Sequence, residues 1–174
     1  MKIAIAGKMC SGKTTLCNHI IKEYPHHIKK SIAGKVKEIA TEMFGMKEKD
    51  RKLLQTIGTQ FREIDNDVWI KYLINQNLDN VIIDDLRYEN EAKLLKENGW
   101  YIIRLNINEK LQIERIKNTY TNWDQHIKNI NHESELEIDK IDKYIDLDIE
   151  SSYDSSRLIV SIFNTLVKQT SLND

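Results

Sequence analysis

The segment Gly7-Lys8-Met9-Cys10-Ser11-Gly12-Lys13-Thr14 follows a short apolar run, Lys2 to Ala6, and opens a helical pattern, Lys13 to Glu23. A Gly-x-x-x-x-Gly-Lys-Thr loop between strand and helix restricts the chain to folds in which a buried strand ends at a helix N-terminus, because its chemistry needs both. Successive backbone N–H groups in such a loop converge on an anion, and the helix dipole adds positive potential. Glycine at positions 7 and 12 admits close approach and positive φ. Lys13 then reaches the β- and γ-phosphates of a bound triphosphate, and the Thr14 hydroxyl is a ligand for Mg²⁺. Gly7, Cys10, Ser11, Gly12, Lys13, Thr14 and Thr15 are the expected ATP contacts.

The rest of the chain alternates between the two apolar periods. Leu16, Cys17, Ile20 and Ile21 share one helix face, which Pro25 closes, and His27 to Ile32 reads as a second strand. Val36, Ile39, Ala40 and Met43 recur at helical spacing until Gly45, and two more helices follow, Lys49 to Ile64 and Asp67 to Asn77. Val81-Ile82-Ile83 is a central strand with an acidic tip, Asp84-Asp85; Asn90 to Glu97 is a helix stopped by Gly99. Trp100 to Ile107 is a fourth strand, Glu109 to Asn118 a charged helix, Tyr144 to Ile149 a last strand and Ser155 to Lys168 a closing amphipathic helix. Strands alternating with helices predict an α/β fold, a parallel sheet of about five strands flanked by helices on both faces. The polar stretch Tyr120 to Asp139 is the least core-like and reads as a mobile flap.

A chain of 174 residues closes one core, so one domain over 1–174 is expected. Its net charge of -1, with no concentrated basic stretch, argues against a nucleic-acid polymer as partner. The opening ten residues are too briefly apolar for a signal peptide or a membrane span, which implies a cytoplasmic protein with no membrane partner. Cys10 and Cys17 lack partners at metal spacing and read as reduced thiols.

Asp84 and Asp85 end a strand, where a carboxylate can hold Mg²⁺ or orient an acceptor; the strand period leaves open which one enters the site, or whether both cap the next turn. Arg87 lies close enough to share that cleft as a bidentate phosphate ligand, or it pairs with Glu91 one helical turn on. Arg115 sits on the charged helix, either as a cation for the transferring group or as part of a solvated face.

These residues bring a family into view. The chain resembles the phage-type deoxynucleoside monophosphate kinases, a branch of the P-loop nucleoside monophosphate kinases. Ile32-Ala33-Gly34-Lys35-Val36-Lys37-Glu38 is similar to the family's stretch opening the acceptor-site helix, with Gly34 where an acidic residue is common. Leu54-Gln55, Gly58-Thr59, Arg62 and Trp69 follow the family's succession, Asp85-Leu86-Arg87-Tyr88-Glu89-Asn90-Glu91 matches its Asp-x-Arg-aromatic-x-Asn-Glu motif, and His132-Glu133-Ser134-Glu135 resembles a flap segment. Tyr144-Ile145-Asp146 stands where the family tends to have Asn.

The resemblance implies a three-layer P-loop kinase fold with an acceptor-binding helical segment at about 33–78 and a lid-like segment at about 109–139. It implies transfer of the ATP γ-phosphoryl group to a (deoxy)nucleoside 5′-monophosphate with Mg²⁺, by a virus- or phage-encoded protein of the host cytoplasm and, after its relatives, a homodimer. Lys13, Asp85, Arg87 and Arg115 become the catalytic set, and Thr14 and Asp85 the metal ligands. Lys37, Arg51, Arg62, Trp69, Arg87, Tyr88, Glu91 and His132 become the substrate contacts, with Trp69 at a core position. A monophosphate has its second pKa near 6, so the attacking oxygen is already ionised at neutral pH and alignment with charge neutralisation suffices. The rival readings are a kinase of a hydroxyl acceptor, in which Asp85 must take a proton, and a nucleotide-dependent binding module.

Overall fold

The computed structural model describes residues 1–128, 130 and 137–151. The helix expected over Ser155 to Lys168 and the His132 to Glu135 segment, His132 included, lie outside the described residues. Strands β1 (Lys2–Gly7), β2 (Ile28–Lys30), β3 (Val81–Leu86), β4 (Tyr101–Asn106) and β5 (Leu147–Glu150) form one sheet in the order β2-β3-β1-β4-β5. Every pairing is parallel. Helix α1 (Lys13–Glu23) joins β1 to β2; α2 (Gly34–Phe44), α3 (Arg51–Ile64) and α4 (Val68–Asn75) lie between β2 and β3. Helix α5 (Glu89–Glu97) joins β3 to β4, and α6 (Glu109–Thr119), α7 (Trp123–Lys128) and a 3₁₀ helix (Glu137–Tyr144) precede β5.

Strand alternation sorts the apolar side chains into two layers. Ile3 and Ile5 of β1, with Ile82, Ile103 and Leu105, pack on Leu16, Cys17 and Ile20 of α1. Ala4 and Ala6 turn to the other face, where Ile83 and Ile102 meet Val36, Ile57, Trp69 and Leu95 from α2 to α5. Burial on both faces is why these strands read as continuous apolar runs rather than alternating ones. Small alanines on the second face leave room for the bulkier layer, including the indole of Trp69, whose Nε1–H donates to the Gly58 carbonyl at 3.1 Å.

Helix starts are fixed by side chains that satisfy free backbone donors. Asp50 accepts from the Leu53 N–H at 3.0 Å to begin α3, and Asn108 accepts from the Leu111 N–H at 2.9 Å to begin α6. Gly45, at φ 66°, ends α2 in the left-handed region that a Cβ disfavours.

One expectation about the later chain needs correction. The last strand begins at Leu147, not Tyr144, because Tyr144 closes the 3₁₀ helix. Within the stretch read as a flap, Ile138 is buried with Ile141, three residues on in that 3₁₀ helix, against the α5 layer, and His126 of α7 is buried with its ring stacked 4.0 Å from Tyr120. Polar neighbours hid a short apolar stripe with a three-residue period. No helix among the described residues is long and apolar enough to cross a membrane.

One irregularity positions the site. Ala4 pairs with Ile83 but Ala6 pairs with Leu86, so Asp84 and Asp85 together oppose the single residue Ile5. Such a bulge re-aims consecutive side chains. Ile103, fully buried in the α1 layer, reports on the sheet that carries this bulge. Ile103→Ala is expected to lower unfolding free energy by about 2–5 kcal/mol, measured by urea denaturation.

Candidate active site

Two cavities open at the carboxyl ends of the strands, one over β4 and β5 and one over β3, on either side of the crevice between β1 and β3. The connections leaving these two neighbours run over opposite faces, α1 on one and α5 on the other. That divergence is where open α/β sheets bind ligands.

The first cavity, of about 400 Å³, is lined by Cys10 to Leu16, with Arg115, Tyr120 and Ser151 among its walls. The loop beneath it takes conformations that only certain residues tolerate. Gly7 sits at φ 147°, and a Cβ there would lie 2.6 Å from the Leu105 carbonyl oxygen and from Ser11 Oγ. Gly12 adopts φ 99° as it enters α1, and Cys10 is left-handed at φ 61°. Helix α6 clamps the loop: Gln112 Nε2 donates to Met9 O at 3.0 Å and Arg115 Nη1 to Cys10 O at 3.0 Å, while the Ser151 hydroxyl donates to Ser11 O. Lys13 Nζ lies along the loop, donating to Gly7 O at 2.6 Å and Lys8 O at 2.8 Å.

At the β3 bulge the two acids separate. The Thr14 hydroxyl donates to Asp84 Oδ2 at 2.8 Å, and Lys29 of β2 donates to the same oxygen at 2.6 Å. Asp85 points the other way and accepts from Ser31 Oγ at 2.6 Å and from the Ile32 and Ala33 N–H groups at 3.0 Å each. The carboxylate beside Thr14 is therefore that of Asp84, which corrects the assignment of Asp85 as the metal-side acid. A hydroxyl and a carboxylate oxygen so close together are a hard-oxygen donor set that suits Mg²⁺ shared with a nucleotide phosphate.

The second cavity, of about 560 Å³, is lined by Lys37, Arg62, Trp69, Asp85, Arg87, Tyr88 and Glu91, among others. Three cations from α2, α3 and the start of α5 thus converge on one side of Asp85. The Arg62 guanidinium lies 4.8 Å from the Tyr88 ring centroid and 3.4 Å from Glu91 Oε1. Arg87 meets Glu91 through its backbone, whose N–H donates to Oε2 at 3.3 Å, as does that of Tyr88 at 3.2 Å. Arg51, expected as an acceptor-site cation, is exposed at the first residue of α3 and does not line this cavity. Trp69 is both core, at 3% exposure, and cavity wall. Lys29, Ser31, Gln112, Tyr120 and Ser151 were not singled out from sequence. They belong to no motif and reach the site only through strand pairing and helix packing.

The fold and the loop together define a class, the P-loop kinases. Residues 3–146 match the model of the AAA domain family, and the chain belongs to that family. A protein of Acanthamoeba polyphaga mimivirus named "Putative deoxynucleotide monophosphate kinase" is 27% identical over 140 residues, covering 59% of this chain and 72% of that protein. The shikimate kinase of Aquifex aeolicus superposes with a TM-score of 0.55 at 20% identity over 100% of both chains. The Acinetobacter baumannii shikimate kinase in complex with shikimate does so with 0.59 at 16% identity, over 97% of this chain and 93% of that one. At such identities the likeness is one of fold.

Glu91 is the most perturbed acid of the site: burial pushes its carboxyl up from 4.5 to about 7, opposed by the two backbone N–H donors and Arg62. An acid raised on folding favours the native state below its unfolded value and loses that contribution as pH rises through the folded one. The stability of the wild type relative to Glu91→Gln is therefore expected to fall between about pH 4.5 and pH 7, read from urea midpoints across that range.

Proposed function

We propose that this P-loop kinase transfers the γ-phosphoryl group of ATP to a (deoxy)nucleoside 5′-monophosphate, with Mg²⁺. The observation that carries the reading is the cation-lined second cavity, with Lys37, Arg62 and Arg87 around Asp85 and the Tyr88 and Trp69 rings in the same wall. An acceptor bearing a phosphate dianion and a planar base matches that combination, and guanidinium suits phosphate bidentately. The name of the mimivirus relative supports the same acceptor class.

In this reading the loop amides and Lys13 hold the triphosphate, which requires Lys13 Nζ to exchange its contacts with Gly7 O and Lys8 O for phosphate oxygens. Thr14 and Asp84 would hold Mg²⁺, which supplies charge neutralisation on the phosphate oxygens when bound. Arg115, anchored to Cys10 O, presents its guanidinium at the loop from the side of α6. Lys37 and Arg62, from the segment spanning about residues 33–78, orient the acceptor together with Arg87 from the β3–α5 junction, and the stretch of about 109–139 acts as the lid.

Asp85 bears on the competing reading, a hydroxyl acceptor of the kind bound in the Acinetobacter structure. Its two oxygens already accept three hydrogen bonds from the Ser31 to Ala33 turn, which engages three of the about four lone pairs a general base could use and favours the ionised form that keeps a proton off. A monophosphate needs no such base.

ATP-dependent turnover across a panel of ribo- and deoxyribonucleoside monophosphates, with shikimate, nucleosides and sugars alongside, tests the assignment. At least one monophosphate is expected to exceed every hydroxyl acceptor, and a flat monophosphate response removes the proposal. Lys13→Ala is expected to lower kcat at least about a hundredfold. Asp84→Asn is expected to raise the Mg²⁺ concentration for half-maximal rate far more than Asp85→Asn does, in a magnesium titration at saturating ATP.

A further inference from the structure

We propose that Glu91 is the positioning residue of the acceptor site: its buried carboxylate joins the Arg62 guanidinium to the Arg87 and Tyr88 backbone, so that these groups form one preassembled phosphate-receiving unit. The inference rests on the acceptor reading above.

The geometry divides the two oxygens of Glu91 between two jobs. Oε2 accepts the Arg87 and Tyr88 N–H groups and so caps α5, as a third-position acid in a capping box does. Oε1 faces Arg62 Nη2 at 3.4 Å. A cap alone calls for no burial, because the same contact forms at exposed helix ends. Here the residue is 3% exposed, beneath the wall of the cation-lined cavity. Arg62 comes from α3 and Arg87 from the β3–α5 junction, twenty-five positions apart in sequence, and Glu91 is the group that touches both. The Tyr88 ring lies under the Arg62 guanidinium, so the same tie also sets the aromatic wall.

The charges around this carboxylate are Arg62 from α3, Arg87 and Tyr88 from its own junction, Asp85 from β3 and, lining the same cavity, Lys37 from α2. Arg62 outweighs Asp85 at this carboxyl, which keeps Arg62 directed at Glu91 when the carboxyl is ionised. Once protonated it loses that hold, and Arg62 retains only the Tyr88 ring. Because the carboxyl is raised to about 7, this change falls in the neutral range.

Glu91→Gln separates the two jobs. The amide oxygen still caps α5, while its NH₂ faces the Arg62 guanidinium, donor against donor. At about pH 8, KM for the accepted monophosphate is expected to rise about tenfold in the variant while kcat changes less than about twofold. Near pH 6 the wild-type carboxyl is protonated, so the ratio of variant to wild-type KM is expected to approach one; taking the ratio cancels the acceptor's own ionisation. A second readout needs no acceptor. Arg62 modification by phenylglyoxal, resolved by peptide mass and normalised to the exposed Arg51, is expected to be several-fold faster in Glu91→Gln at pH 8, and faster in the wild type at pH 6 than at pH 8.

A KM ratio near one at both pH values, or an Arg62 to Arg51 labelling ratio indifferent to the variant and to pH, overturns the proposal. If the wild type turns over no monophosphate, the acceptor reading fails and labelling alone decides the role of Glu91. Thermal unfolding and ATP affinity check that the variant folds. Should it not, the wild-type labelling ratio across pH decides between the outcomes: a rise toward pH 6 supports the positioning role, and a constant ratio overturns it.

Discussion

The parallel pairing of β1 with β3 is the constraint from which the site follows. It sets the end of the phosphate loop beside the acidic tip of β3, and the bulge opposite Ile5 lets two consecutive carboxylates serve two neighbouring places. Alternation along β3 carries Asp84 to the face of Ile82, toward α1, and Asp85 to the face of Ile83, toward α2. Asp84 there meets Thr14 and Lys29, and Asp85 the turn that opens α2. Asp85 thus lines the second cavity, while its neighbour Asp84 bonds Thr14 in the wall of the first.

Charge is arranged locally, against a net charge of only -1 for the whole chain. Lys13, Lys29, Lys37, Arg62, Arg87 and Arg115 gather around the strand ends, while acids elsewhere are occupied by surface pairs such as Lys71 with Asp65 and Lys96 with Asp146. Exposed pairs of that kind add little to stability. Their effect is to leave the crevice as the place where positive potential accumulates, and a crevice with low-dielectric walls focuses that potential on an anion.

The clamp of α6 on the phosphate loop links the two ends of the chain's chemistry. Gln112 and Arg115 bind carbonyls of Met9 and Cys10, so their helix is tied to the loop. Asn108 fixes where that helix begins, and a shift of one residue there would rotate both side chains away from the loop. A local capping choice therefore governs the placement of a cation more than a hundred residues from the loop it serves.

Local chemistry made the phosphate loop legible from sequence, since the spacing Gly7, Gly12, Lys13, Thr14 is itself the binding device. The strands of the sheet were legible too, because two-sided burial forces the apolar runs at Ile3 to Ala6, Val81 to Ile83 and Ile102 to Ile103. The division of labour between Asp84 and Asp85 was not, because alternation says that the two point apart but not which face of the sheet carries α1 and Thr14. Arg51 and Arg62 looked alike as basic residues of one helix, and only packing on Tyr88 and Glu91 turned Arg62 into the cavity and left Arg51 in solvent. The 3₁₀ helix of Ile138 and Ile141 was likewise hidden, its two buried side chains too few to outweigh the polar residues around them. Sequence determines what a residue can bond to; which of those bonds form depends on what the other strands and helices bring within about three ångströms of it.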